Sequence, residues 1–273
     1  MPYATTSQIR IYYQRQGEGC PVLFIPGVAG DLRVKPNIFD SELAHRFDIL
    51  SFDQRGTGQS DKPDIEYTLQ HYVEDAQSLM DRVGWQSAHV IGVSFGGMVA
   101  QELALTTPHR VRSLTLCCTT SGGAGGSSYP IHKLSGLSAE ALSRRLLALW
   151  DTRYDEAWQA QHPDETAQML ATTIAAAPFM KEPGGSIGFT RQIEARKYHN
   201  CYDRLPSLRL PTLVCGGKYD GWAKPEAVKR LHAQIAGAEL AFFDGGHRFL
   251  DQDPDALLFI AQTLERFCTD TSS

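Results

Sequence analysis

Two pentapeptides of the form Gly-X-Ser-X-Gly stand out, Gly92-Val93-Ser94-Phe95-Gly96 and Gly184-Gly185-Ser186-Ile187-Gly188. A serine set this way can act as an acyl-transfer nucleophile, provided a strand leads in and a helix leads out, so that the turn lifts the hydroxyl above a sheet edge. Ser94 has both flanks: Ala88-His89-Val90-Ile91 before it and the helix-forming stretch Gly97–Leu105 after it. Ser186 follows Lys181-Glu182-Pro183, which is no strand, and reads as a glycine-rich hinge opening a helix. A serine hydroxyl is a weak nucleophile until a base takes its proton, and the base needs a carboxylate to fix its tautomer. Nine histidines are available: His45, His71, His89, His109, His132, His162, His199, His232 and His247. Only His247, in Asp244-Gly245-Gly246-His247, sits on a loop after the last expected strand. For the carboxylate, Leu213–Asp220 places Asp220 on a loop directly after a strand, whereas Asp244 lies too close to His247 along the chain to face it easily. The preceding strand end, another position where an acid could serve, holds Thr119 and Thr120.

The tetrahedral oxyanion of acyl transfer needs preorganised donors. The Phe95 amide, directly after Ser94, is one expected donor. The second is the Val28 amide in Pro26-Gly27-Val28-Ala29-Gly30, a loop that follows an apolar run and lets backbone approach a substrate.

These residues have to be positioned by a larger frame. Short apolar or β-branched runs occur at Ile9–Gln14, Val22–Ile25, Phe47–Phe52, His89–Val93, Val111–Cys118, Leu213–Cys215 and Leu240–Phe243. They alternate with helix-period segments, the pattern of a mostly parallel sheet of about eight strands with helices on both faces. The clearest helix is Leu69–Val83, N-capped by Thr68. After Thr120 the alternation stops. Ser121–Ser128 reads as a flexible exit, and the next stretch carries only helices, expected at Ala139–Trp150, Asp155–Gln161, Glu165–Ala176 and Ile187–Tyr198, before Pro206 and Pro211 bracket the return to strand. Residues 1–120 and 207–273 therefore form the expected core, and 121–206 a helical cap over the carboxyl edge of the sheet, where open α/β sheets bind ligands. The short stretch Thr269–Ser273 is the one expected tail.

Composition narrows the function further. The 273 residues are 42% hydrophobic and 21% charged, which excludes disordered and collagenous classes. A net charge of -5 without a basic run argues against nucleic acid as a partner. The six cysteines, Cys20, Cys117, Cys118, Cys201, Cys215 and Cys268, form no metal-binding spacing and read as reduced core thiols. Met1–Arg10 has no signal-peptide pattern, and no run is long and apolar enough to span a membrane, so a cytoplasmic location without membrane partners is expected. Association into a homo-oligomer is left open.

Taken in chain order, Pro26–Gly30, Asp53-Gln54-Arg55-Gly56-Thr57-Gly58-Gln59-Ser60, Gly92–Gly96, Gly217–Asp220 and Gly246-His247 resemble the α/β-hydrolase superfamily over Val22 to His247. Within it, the short single lid and the stretch Gly92–Gln101 are most similar to the 3-oxoadipate enol-lactonase and carboxylesterase-like branch. The resemblance implies an α/β-hydrolase fold and a cofactor-free, metal-free serine hydrolase of small carboxylic esters or lactones, with Ser94, Asp220 and His247 as triad and Val28 and Phe95 as oxyanion donors. Asp53 and Arg55 then serve to lock a turn. Many relatives carry His-Gly where this chain has Pro26-Gly27, which leaves the first-loop donor open by one residue. Dehalogenases and epoxide hydrolases of this fold carry aspartate at the position of Ser94 and are excluded. Three other activities share the same residues: carbon–carbon bond hydrolysis of vinylogous diketones, perhydrolysis, and ligand reception with slow turnover. The first would need a cationic pocket, for which Arg144, Arg145, Arg153 and Arg191 are the candidates.

Overall fold

The computed structural model describes residues 2–6, 8–130, 134, 136–175 and 178–270. Eight strands form one sheet: β1 (Tyr3–Thr5), β2 (Arg10–Gln16), β3 (Pro21–Ile25), β4 (Asp48–Phe52), β5 (Ala88–Val93), β6 (Val111–Cys117), β7 (Thr212–Gly217) and β8 (Glu239–Phe243), in the order β1-β2-β4-β3-β5-β6-β7-β8. β1 and β2 run antiparallel at one edge, and every pairing from β4 to β8 is parallel. Each of the seven expected runs falls on a strand. β1 went unread because three residues at an edge carry too little periodicity to register.

The period-two alternation of each strand divides the core in two. Leu23, Ile25, Leu50, Val90, Leu114 and Val214 face one layer, with α2 (Leu69–Arg82), α3 (Phe95–Thr106) and α8 (Pro225–Ala233) packed on them. Val22, Ile49, Ile91, Cys117, Leu213 and Cys215 face the other, against α1 (Glu42–Arg46), α9 (Phe249–Gln252) and α10 (Pro254–Asp270). Every residue of β4 and β7 is buried, as a parallel sheet covered on both faces requires. Each fully buried Leu or Ile contributes about 1.5–3 kcal/mol, so the sheet is a rigid platform for its loops. At the head of α2, Thr68 Oγ1 accepts from the His71 amide at 3.3 Å while His71 Nδ1 accepts from the Thr68 amide at 3.2 Å, a reciprocal cap.

Between β6 and β7 the chain forms α4 (Ala139–Trp150), α5 (Glu156–Gln161), α6 (Pro163–Ala175) and α7 (Gly185–Lys197). Asp155 is the N-cap of α5 rather than its first residue. α6 starts two residues earlier than the spacing predicts because Pro163 suits a first helical position. Ala176, the expected end of that helix, lies outside the described residues. The Ser121–Ser128 stretch differs from expectation: Ser121 and Gly125 are buried, and the Cys201 amide donates to Ser121 O at 2.9 Å, so the segment is a packed turn and not a flexible exit. α10 takes in Thr269, and 271–273 of the expected tail lie outside the described residues. Among the described residues no helix is long and apolar enough to cross a membrane.

Candidate active site

Ser94 joins β5 to α3 at φ +54°, ψ -113°, a conformation an L-residue holds only when its surroundings impose it. Three contacts do so. The Ser94 amide donates to Cys117 O on β6 at 2.8 Å, Ser94 O accepts from the Gly97 amide at 3.0 Å, and it also accepts from Thr119 Oγ1 at 2.7 Å. Thr119, considered above only as the place of a missing acid, is thus part of the turn's support. Gly96 is required here: a Cβ would fall 2.1 Å from Ile25 O, so any side chain would drive the first turn of α3 away from β3.

Asp220 and His247 come from the loops after β7 and β8. Those strands are neighbours, and their loops are tied together: the Lys218 amide donates to Phe243 O at 3.0 Å and the Tyr219 amide to Gly245 O at 2.9 Å. Asp220, 2% exposed, accepts from the Trp222 and Ala223 amides through Oδ1 at 2.7 and 2.9 Å. Its Oδ2 accepts from His247 Nδ1 at 2.8 Å. A carboxylate can only accept, which fixes the His247 proton on Nδ1 and leaves Nε2 as the acceptor for the Ser94 hydroxyl at 2.9 Å. The His247 amide in turn donates to Trp150 O at the end of α4, so the inserted helices help to hold the imidazole.

Backbone from two elements lies beside Ser94. Phe95, as the first residue of α3, has an N–H with no intrahelical acceptor. In the turn after β3, a Cβ on Gly27 would sit 3.4 Å from Ser94 Cβ, so this backbone faces the serine closely. Among the described residues the Val28 amide meets no protein acceptor, whereas the Ala29 amide is engaged by Gln192 of α7 at 2.9 Å.

The other candidates are occupied elsewhere. Ser186 is exposed on α7. Asp244 pairs with Arg153 at 3.6 Å, its side chain 60% exposed. His89 bonds Ser113 Oγ, His162 stacks on Trp158, His199 faces Glu102 and His232 bonds Ala238 O; His132 lies outside the described residues. Of the four arginines, Arg144 pairs with Glu140, Arg153 with Asp151, Arg191 with Asp64 and Glu194, and Arg145 lies over the Tyr129 ring. Asp53 is fully buried and clamps two turns, accepting from the Leu32 and Gln59 amides at 2.7 Å each, with burial pushing its pKa up to about 6. Arg55 and Asp75 form a buried ion pair at 2.6 and 2.9 Å.

Two residues escaped sequence reading, Trp222 beside His247 and Gln192 against the turn after β3. Trp222, buried, has its ring centroid 6.1 Å from that of His247 and packs with Leu134, Leu149, Tyr129, Leu142, Leu146 and Trp150 in an apolar cluster shared with the inserted helices. Its position two residues after Asp220 was the available signal. Gln192 had none, because a lone glutamine on a helix carries no motif.

Comparison with known proteins agrees with this architecture. The chain is 30% identical over 262 residues, 93% of its length and 94% of the relative's, to "Putative carbamate hydrolase RutD" of Azorhizobium caulinodans. The enol-lactonase from Burkholderia xenovorans LB400 superposes with a TM-score of 0.75 at 23% identity, covering 98% of this chain and 100% of that one. Est816, an N-acyl homoserine lactone degrading enzyme, superposes with a TM-score of 0.75 at 25% identity, covering 97% and 100%. With a strand-to-helix serine turn on a mostly parallel eight-stranded sheet, and with the sequence profile of the alpha/beta hydrolase fold matching residues 21–254, the chain belongs to the alpha/beta hydrolase fold family and is a hydrolase.

Proposed function

We propose that this hydrolase cleaves small carboxylic esters or lactones through an acyl-enzyme. The observation that carries the reading is the continuous relay from Ser94 Oγ to His247 Nε2 at 2.9 Å and from His247 Nδ1 to Asp220 at 2.8 Å. In this mechanism Ser94 Oγ attacks the substrate carbonyl as its proton passes to His247 Nε2. Asp220 stabilises the resulting imidazolium and keeps the ring in its productive orientation. The Val28 and Phe95 amides receive the oxyanion. His247 then returns the proton to the departing alkoxide, and the acyl group remains on Ser94. Water, deprotonated by the same Nε2, attacks the ester carbonyl and releases the acid, with the proton going back to Ser94. Each proton transfer uses the one imidazole, so the cycle closes with these residues alone.

The apolar cluster around Trp222 and Leu149 beside His247 suits an uncharged acyl or alcohol group. The Est816 likeness supports lactones among the substrates. The carbamate reading has its own support in the RutD relative, since a carbamate carbonyl meets the same nucleophile and oxyanion donors. Carbon–carbon bond hydrolysis is less well supported, because Arg144, Arg153 and Arg191 already have carboxylate partners and Arg145 an aromatic one. The described cysteines, none in a disulfide, fit a reducing compartment such as the cytoplasm.

The test is a panel of p-nitrophenyl esters of increasing chain length, simple lactones and carbamates, run on the wild type beside Ser94→Ala. Turnover of at least one ester or lactone that is lost in Ser94→Ala supports the reading. Turnover of carbamates alone moves the assignment to that class, and activity unaffected by Ser94→Ala overturns the mechanism.

A further inference from the structure

The turn that carries the Val28 amide is not self-supporting. Gln54 Nε2 holds its start by donating to Pro26 O at 2.7 Å, and the Gly30 amide closes it on Gly27 O with a long contact of 3.3 Å. Between them Ala29 sits at φ +62°, where a side-chain-bearing residue is rarely found. What meets the Ala29 amide is Gln192 Oε1 at 2.9 Å, from a helix 163 residues further along the chain. Gln192 is fully buried, and its side chain also meets the Tyr72 hydroxyl on α2. A buried primary amide needs its polar atoms matched, and the partner of its oxygen is the Ala29 amide.

α7 is seated so that Gln192 can reach. Gly188, one helical turn before it on the same face, lies against Gly56: a Cβ there would come within 2.1 Å of Gly56 O. Arg191 adds an ion pair to Asp64 at 2.9 Å. The helix therefore meets the core backbone to backbone at Gly56, in the loop after β4, and one turn later reaches Ala29 through a side-chain hydrogen bond.

Building on the serine-hydrolase reading above, we propose that Gln192 is a positioning residue for the oxyanion hole. By holding the Ala29 amide it fixes the left-handed residue of the turn and thereby the direction of the Val28 N–H immediately before it. The oxyanion site is then complete only while α7 is docked on the core, so the inserted helices take part in transition-state stabilisation as well as in enclosing the substrate. A donor displaced from the oxyanion acts only on the state in which that charge exists, so its loss falls on kcat and spares ground-state binding.

The experiment compares wild type with Gln192→Met, which keeps the volume and removes the acceptor. It measures kcat and KM on the best p-nitrophenyl ester, inhibition by an alkyl trifluoromethyl ketone, whose hemiketal on the serine carries an oxyanion, and the thermal midpoint. Deleting an oxyanion donor outright costs on the order of 10²–10³ in kcat, so misaiming one is expected to lower kcat about tenfold to a hundredfold. The ketone's affinity should weaken by a similar factor, with KM within about threefold. If Gln192→Met fails to fold, Gln192→Asn, whose amide is withdrawn by one carbon–carbon bond, is read in the same way. A kcat and ketone affinity within about twofold of wild type overturn the inference, as does a rise in KM with kcat and ketone affinity unchanged. Ser94→Ala runs in parallel: full activity in that variant overturns the serine-hydrolase reading and this inference together, whereas an inactive Ser94→Ala beside an unaffected Gln192→Met overturns this inference alone.

Discussion

Asp220→Asn is the sharpest perturbation of the site, because the structure dictates how the asparagine must sit. Asp220 Oδ1 accepts two amides, from Trp222 and Ala223, and Oδ2 accepts His247 Nδ1. Asparagine has one acceptor oxygen. Turned so that its NH2 faces Trp222 and Ala223, it would set donors against two buried donors, at about 1–3 kcal/mol for each bond left unmade. The favoured orientation therefore keeps the oxygen on the two amides and presents the NH2 to His247 Nδ1. The imidazole must then accept at Nδ1 and carry its proton on Nε2, where it cannot take the Ser94 proton. A wrong tautomer of this kind lowers kcat by about 10⁴-fold, equivalent to roughly 5.5 kcal/mol of transition-state stabilisation. Two of the three hydrogen bonds survive unchanged and the third is remade in the reverse direction, so the thermal midpoint should change little. The assay is kcat on a p-nitrophenyl ester followed by absorbance, with far-ultraviolet circular dichroism to confirm the fold. A folded Asp220→Asn enzyme turning over within about tenfold of wild type would refute the reasoning, since it would mean the base does not depend on this carboxylate.

Ser94→Gly should abolish ester turnover yet raise the thermal midpoint by about 2–4 °C, because glycine adopts φ +54° without strain; differential scanning calorimetry that shows no gain would place the strain elsewhere. Burial lowers the pKa of His89 to about 4, below its value in the unfolded chain, so its contribution is full above about pH 6.5 and is lost as pH falls toward 4, by at most about 3 kcal/mol. Asp53, raised to about 6, works in the opposite sense, so the check is the difference between wild type and His89→Asn in urea unfolding at pH 7.5 and pH 5, and equal pH dependence in both would count against it. Asp75→Ala leaves the Arg55 guanidinium buried and unpaired and should cost about 3–5 kcal/mol in the same unfolding assay; a loss under 1 kcal/mol would show that water reaches Arg55.

Much of this was legible in residue order. The strand runs, the turn at Ser94 and the loops bearing Asp220 and His247 are encoded locally, by alternation, by glycines and by apolar runs that end at a polar loop, and a parallel sheet aligns the carboxyl ends of its strands on one edge. The short range of such signals also explains the errors. The glycine-rich Ser121–Ser128 stretch looked flexible because composition cannot show that Cys201 and its neighbours pack against it. Asp220 could be preferred to Asp244 on chain geometry, but that His247 meets both Ser94 and Asp220 follows from β7 and β8 being adjacent and their loops bonded. The contacts of Trp222 and Gln192 belong wholly to the tertiary structure. Residue type and spacing specify what a side chain can do and roughly which element bears it, whereas a hydrogen bond spanning 163 residues depends on how two distant segments pack, and no local pattern records that.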